Sequence, residues 1–438
     1  MVDVSLRPCL LVVGLVAAGL TGCGSTESEK DRLTRIEVLA HDGTDEERAV
    51  LEQQVAAFNE GHDTVEVALT LVAEGDYNDS LQARIARGDA PDLVEVDGPL
   101  LASYVYQEVV VPLDGLLTDA VLGDQLPSLQ AQGSIAGHRY AVGTFDSGLG
   151  LYADRRALRN ADVEWSTSPE TAWTDEEFTA ALGKLASQDS DGLVLDVKEN
   201  YGTGEWLTYG FAPLVASAGG DLIDPVTLSP RGHLDGSATK AALDTVSAWA
   251  PYIDPNEDDA AFTSRRVALS WVGHWTYRDY AAALGEDLLV LPLPDLGHGS
   301  KTGQGSWTWT VTSGDDDHQR AAATFLDFLL SDAEVLRMTE ANGAVPGMSS
   351  ALARSSLYAE DGPLELFADQ LRRSCGRDTP DKDCLAVPRP LTPGYAVLSS
   401  QFAEAMSVAL HGGRTDRALD RAADFVDHDL ELNGGFSH

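Results

Sequence analysis

The chain has 438 residues, with 70 Asp and Glu against 30 Lys and Arg and a formal net charge of −40. This acidity excludes nucleic acid as a partner and disfavours docking on anionic lipid, because nothing basic and continuous exists to neutralise phosphates. The length exceeds the roughly 100–200 residues of one typical domain, so two lobes are expected.

The first residues read as an address. Arg7 is a short basic region, and the apolar run from Cys9 to Leu20 falls short of the about 20 residues a membrane-spanning helix needs. It ends in Leu20-Thr21-Gly22-Cys23, which resembles the bacterial lipobox, where the chain is cut before a diacylated cysteine. Residues 1–22 are expected to be a lipoprotein signal peptide, Cys23 the lipidated (palmitate-type) residue and 23–34 a polar tether. Two or more acyl chains on one residue anchor stably where a single chain is marginal. Past Arg35 no apolar run is long enough to span a bilayer, so the body is expected outside the cell, held at the cell membrane.

Arg35 to Ala40 reads as a first strand. Thr44 with Glu47 forms a capping-box pattern, and Leu51, Val55 and Phe58 recur at helical spacing. Val65, Val67, Leu69 and Leu71 alternate as in a strand; Tyr77, Leu81 and Ile85 mark a helix closed by Gly88; Asp92 to Val96 is a third strand. This alternation implies a parallel, doubly wound sheet, in which ligands bind beyond the carboxyl ends of the strands. His41 and Asp42 after the first strand, and Asp97 after the third, are placed to face that crevice. A second α/β block begins near Leu149, with a capping box at Thr174 and Glu177, a strand at Leu288 to Leu291 and a helix at Ala322 to Leu329. Ala418, Ala422, Phe425, Val426 and Leu430 give a final amphipathic helix.

Removing Cys9 with the signal and Cys23 to lipid leaves Cys375 and Cys384, an even pair in an oxidising compartment. A disulfide is expected, with two free thiols as the alternative; zinc is disfavoured because no second Cys/His pair lies near. No Gly-x-Ser-x-Gly elbow, His-Glu-x-x-His or Cys/His cluster is present, so no catalytic residue, metal or cofactor is assigned. Asp189-Ser190-Asp191-Gly192 hints at calcium but lacks the remaining ligands, and reads as an acidic turn.

Several segments together resemble the family 1 extracellular solute-binding proteins, the sugar-binding group that includes maltose- and trehalose-binding proteins. They are Leu81 to Leu93 (a helix, a Gly turn and a Pro-Asp strand start), Asp146-Ser147-Gly148-Leu149-Gly150-Leu151-Tyr152, and Pro169 to Phe178. Gly219-Gly220-Asp221-Leu222, Gly273-His274-Trp275, Gly303-Gln304-Gly305-Ser306-Trp307 and Asn342-Gly343-Ala344-Val345-Pro346 follow in family order. Arg265 and Arg266 depart from the usual Gly-Lys pair, Leu269 stands where Met is common, and Leu364 to Pro390 has no counterpart.

The resemblance implies a two-lobe, periplasmic-binding-protein-like (type II) α/β fold with three hinge crossings, closing on its ligand. It implies an N-lobe of 35–144 and 305–344 and a C-lobe of 145–304 and 345–438. It implies the extracellular binding component of a carbohydrate ABC importer: a monomer that captures a di- or oligosaccharide and delivers it to membrane permease subunits. A binding protein for a peptide, polyamine or glycerol phosphate is the alternative, and a surface glycosidase a more distant one. A phosphorylated ligand would call for an arginine cluster, and none of the matched crevice positions carries one.

Sugars need carboxylates for hydroxyls and aromatic faces for rings. The resemblance places Trp275 and Trp307 against the ring, with Gly305 beside Trp307, and Asp97 on hydroxyls. Asp146 lies at the hinge, Trp206 in a polar Gly-rich loop that can reach the cleft, and Asp221 after a Gly pair, each a ligand contact or a turn residue. His41 and Asp42 complete the candidate set.

Overall fold

The computed structural model describes residues 33–376 and 380–436, so the lipobox lies outside the described residues. Strand β1 (Thr34–Asp42), helix α1 (Asp45–Gly61), β2 (Val65–Ala73), α2 (Glu74–Ala86) and β3 (Leu93–Asp97) follow the alternation of the sequence. Then come β4 (Leu149–Asp154), α3 (Asp175–Ala186), β5 (Leu195–Asp196), α4 (Glu205–Ser217), β6 (Ile253–Asp254), β7 (Leu269–Gly273) and β8 (Leu288–Leu291). Strands β9 (Thr302–Gln304) and β10 (Trp307–Val311) lead to α5 (Asp316–Leu329). Strand β11 (Ala386–Pro388) and helices α6 (Tyr395–Leu410) and α7 (Asp416–Leu432) close the chain.

Two sheets organise these elements. The first runs β10-β3-β1-β2, with β1 parallel to both neighbours and β10 antiparallel to β3. The expected parallel sheet therefore carries one reversed edge strand, because β10 returns to it from the other lobe. The second runs β8-β4-β7-β5-β6, with β4 antiparallel to β7 and β8. Separate apolar cores form around the two sheets: Ile36, Val38, Phe58, Val67 and Phe325 pack in the first, and Leu151, Phe178, Trp249, Trp271 and Phe402 in the second.

Three links join the sheets, and hydrogen bonds hold them side by side. Phe145–Asp146 pairs antiparallel with Val345–Pro346, and Gly148 bridges to Gln304. The hinge is thus a small stack of extended segments between the two cores. Cys375 and Cys384 form a disulfide at the edge of the second lobe, ahead of β11.

Local chemistry explains the helix starts. Thr174 caps α3 through Glu177 N at 3.2 Å, and Glu177 answers with its carboxylate on Thr174 N at 3.0 Å, the full capping box. At α1 only half of the box forms. Thr44 accepts from Glu47 N, but the Glu47 carboxylate turns to Asn342 Nδ2 at 3.2 Å, a tertiary partner that displaces the local one. In α7 the buried stripe is Ala418, Leu419, Ala422, Ala423 and Val426, and Phe425, expected inside, is 59% exposed. It sits one position off the face that packs on α6.

Candidate functional site

The carboxyl ends of β1 and β3 open toward the hinge, as a doubly wound sheet dictates. Asp97 ends β3, and its antiparallel ladder partner is Trp307, the first residue of β10. The half-buried Trp307 indole stacks on the His41 ring, with centroids 4.3 Å apart and planes 9° from parallel, and Tyr77 meets it edge-on at 5.0 Å. His41 is held in turn: its Nδ1 lies 2.7 Å from Glu95 Oε2, which also accepts from His41 N at 3.0 Å. Burial pulls this imidazole's pKa down, but the Glu95 charge and hydrogen bond outweigh it and raise it to about 9. His41 is therefore a cation buttressing the Trp307 face. Trp309, two residues on, packs in the core at 3% exposure.

A second aromatic group comes from the second lobe. Trp275 follows β7, half-buried, and donates its Nε1–H to the Tyr201 hydroxyl at 3.0 Å. A Cβ on Gly273 would fall 2.1 Å from the Trp275 ring, so glycine is what lets the indole fold back there. Trp206 stands edge-on behind it at 6.2 Å, with its own Nε1–H on Val197 O. The expected Gly-rich loop ends at Gly204, and Trp206 belongs to the first turn of α4 as a buried brace. Trp271 is fully buried, its Nε1–H on Gly210 O.

An ion cluster lies between the two lobes. Arg389 donates through Nη1 and Nη2 to the two Asp97 oxygens at 3.0 and 2.6 Å, a bidentate fork, and through Nη1 to Glu205 Oε1 at 2.6 Å. Its guanidinium lies 5.1 Å from the centroid of the Tyr209 ring. Glu205 also accepts from Tyr395 and Ser399. Burial raises the Glu205 pKa, against the opposing pull of Arg389. The buried Tyr209 hydroxyl and Arg389 Nε find no partner among the described residues.

Asp146 sits at the hinge, fully buried, with Oδ1 accepting from Ser147 N at 2.8 Å and Gly305 N at 3.1 Å. Burial raises its pKa to about 6, although those bonds and Arg389 oppose the shift. Gly305 has φ +117°, and a Cβ there would lie 2.4 Å from Gln132 Oε1 and 3.1 Å from Arg389 Nη2. Glycine is required by both conformation and space.

The structure thus gathers Asp97, Trp307, His41, Asp146, Gly305 and Trp275, with Trp206 behind them. Asp42 and Asp221 are not brought in. Asp42 pairs with Arg48 at the start of α1, and Asp221 accepts from Leu222 N at 2.7 Å beyond the far end of α4. Asp189 likewise closes its own turn, on Asp191 N and Gly192 N. An arginine joins the site from outside the matched positions: Arg389, from the segment that the resemblance does not align, reaches Asp97 and Glu205. It is a single cation matched by two carboxylates. Arg389 and Glu205 escaped the sequence reading, which placed Tyr209, beside Trp206, in a Gly-rich loop able to reach the cleft.

The chain is 25% identical over 319 residues to an uncharacterized lipoprotein in the oleD 5′ region of Streptomyces antibioticus, covering 71% of this chain and 70% of that one. It is 22% identical over 387 residues to the melibiose/raffinose/stachyose-binding protein MelE of Bacillus subtilis, covering 83% and 87%. The fold matches the cyclic α-maltosyl-1,6-maltose binding protein of Arthrobacter globiformis with a TM-score of 0.75 at 22% identity, covering 91% of this chain and all of that one. Residues 53–365 match the family described as bacterial extracellular solute-binding protein, and the chain belongs to that family.

Proposed function

We propose that this protein is the extracellular binding component of a carbohydrate ABC importer and that it holds a di- or oligosaccharide between its lobes. The observation that carries this is a pair of half-buried indoles, Trp307 beside Asp97 in one lobe and Trp275 beside Tyr209 in the other, with Arg389 bound to Asp97 and Glu205 between the lobes. Flat apolar faces flanking charged hydrogen-bonding groups match a sugar, with C–H faces and a rim of hydroxyls. Each hydrogen bond to a charged group contributes about 1.5–3 kcal/mol. The sugar-binding names carried by MelE and the Arthrobacter protein support the same reading.

We assign direct contacts to Asp97, Trp275, Trp307, Arg389 and Glu205, support to His41, Trp206, Asp146 and Gly305, and no contact to Asp42 or Asp221. The lobes are taken as 35–144 with 305–344, and 145–304 with 345–438. Docking on one lobe and closure about the hinge complete the site, and the closed form engages the permease. The protein acts as a monomer, tethered through lipid on Cys23; the lipoprotein name of the Streptomyces relative supports the anchor. It returns its ligand unaltered: both cleft carboxylates share one guanidinium and serve as acceptors. A phosphorylated ligand is disfavoured because two carboxylates already match the single arginine.

Thermal unfolding against a panel of mono-, di- and oligosaccharides, followed by analysis of the recovered sugar, tests this. A ligand at about 100 times its Kd stabilises the fold by about 2.7 kcal/mol. A shift from one sugar class, recovered intact, is expected. Cleaved sugar would mean an enzyme. A shift only from peptides, polyamines or phosphorylated polyols would overturn the carbohydrate assignment.

A further inference from the structure

The orientation of the Trp275 indole depends on a residue outside the core. Its Nε1–H donates to the Tyr201 hydroxyl at 3.0 Å. Tyr201 is itself exposed, on the short 3₁₀ turn Glu199–Tyr201 between β5 and α4. Its ring has two close neighbours: Trp206, edge-on at 5.3 Å, and the ammonium of Lys198, 5.8 Å from the ring centroid and within cation–π range. The Tyr201 N–H also donates to Lys198 O at 3.0 Å.

Lys198 is unusual on two counts. Its backbone is left-handed, with φ +59° and ψ 44°, a conformation that residues other than Gly, Asn, Asp and His seldom adopt. Its side chain is fully buried although it carries a charge. The ammonium lies 2.5 Å from Asp259 Oδ1 and 3.2 Å from Asp196 Oδ2. Burial pulls its pKa down, and Asp196, Tyr280 and Asp259 outweigh burial and raise it, so the group is a cation. Asp196 is buried too, and accepts from Lys198 N at 2.8 Å, Asn256 Nδ2 at 2.9 Å and Ser270 Oγ of β7 at 2.8 Å. The ammonium also lies 5.5 Å from the Tyr280 ring, but Tyr280 is buried in the core with Ser270 as a partner. Of the two rings, only the exposed Tyr201 depends on it. Strained residues persist where their surroundings over-determine them, and they gather at ligand clamps. A buried lysine cannot reach a ligand, so it acts through what it holds.

We propose that Lys198 is a positioning residue for the sugar site: its ammonium, seated between Asp196 and Asp259, fixes the Tyr201 ring, and the Tyr201 hydroxyl fixes the Trp275 indole. The inference rests on the carbohydrate reading and adds to it a residue that never touches the ligand. The test follows the indole N–H resonances of the full chain by NMR with isotope-labelled tryptophan, the Trp275 signal being the one that Trp275→Ala removes. Calorimetry with maltose, melibiose and raffinose measures binding. Both are run on the wild type, on Lys198→Met and on Lys198→Met combined with Trp275→Ala.

Lys198→Met is expected to move the Trp275 resonance and speed its exchange with water, while the Trp271 indole, bound to Gly210 O, stays in place. It is expected to weaken the sugar that binds about three- to tenfold, but by less than about twofold once Trp275→Ala is present, because both act through one indole. If Lys198→Met fails to fold, Lys198→Asn, which suits the left-handed backbone, carries the same expectations. A Trp275 resonance unmoved in the folded variant, an unchanged affinity, or a loss just as large beside Trp275→Ala overturns the inference and leaves the carbohydrate reading standing. If none of the three sugars binds the wild type, the carbohydrate reading falls, and the indole resonance alone decides whether Lys198 holds Trp275.

Discussion

Replacing Arg389 with Met should destabilise the protein by about 3 kcal/mol. The guanidinium makes three contacts of 2.6–3.0 Å to Asp97 and Glu205, from a side chain 6% exposed. Removing one partner of a buried ion pair costs about 3–5 kcal/mol, because the other charge is left uncompensated. The lower end applies here for two reasons. Glu205 keeps Tyr395 and Ser399 as donors, and the Asp97 side chain is 19% exposed, so water can take the vacated positions. Adding Asp97→Asn to Arg389→Met removes the stranded charge and should recover about 1–2 kcal/mol, a coupling that a double-mutant cycle isolates. Urea denaturation at pH 7 measures it, read by both tryptophan fluorescence and near-UV circular dichroism so that separate unfolding of the lobes is detected. An Arg389→Met protein within about 0.5 kcal/mol of wild type, below the usual cost of a broken buried pair, would refute the reasoning. So would a double variant no more stable than the single one.

Trp275→Ala should weaken binding of the identified sugar at least tenfold, and Tyr201→Phe, which frees the indole N–H, by less; calorimetry that finds Trp275→Ala unchanged would remove Trp275 from the site. The Asp146 carboxyl, raised to about 6 from an ordinary value of 3.8, favours the protonated form in the fold, so it subtracts stability as pH rises from 3.8 and levels off above 6. Two pH units at about 1.36 kcal/mol each bound the effect near 3 kcal/mol, so Asp146→Asn should gain up to that much on wild type between pH 4 and pH 7 in urea melts. Parallel profiles would contradict it. His41 is raised from 6.5 to about 9, so its pairing stabilises fully below pH 6.5 and is lost as pH rises through 9. An NMR titration of the imidazole should show this, with Glu95→Gln bringing the value down, and a midpoint at or below 6.5 in the wild type would refute it.

Much of the architecture was legible in the chain because local rules agree with the global fold. Alternation at Val65–Leu71, helical spacing at Leu51, Val55 and Phe58, and the Thr174–Glu177 capping box all report backbone periodicity and orphan amides, which the chain settles within a few residues. The place of Asp97 at a strand end followed from the alternation, whereas His41, also at a strand end, lies buried against Glu95 and the Trp307 ring. Phe425 and Glu47 show where this stops: each had a valid local reading, and a neighbour distant in sequence decided otherwise.

By itself the sequence determined the elements, the two-block organisation and the strand-end and Gly-x-Trp positions that supply the cleft's aromatic and acidic groups. Only the tertiary structure decided how those groups are partnered. Arg389 lies 292 residues from Asp97 and 184 from Glu205, and no periodicity or motif links such distances. Their meeting depends on the three hinge links setting one lobe against the other, and on β11 pairing with β9 to carry Arg389 to the cleft. The ladder opposite β3 likewise set Trp307 beside Asp97, and burial alone turned Asp146 from a turn residue into a carboxyl with a raised pKa. Charge pairing and desolvation depend on what surrounds a group in space, and that is fixed only when the lobes have packed.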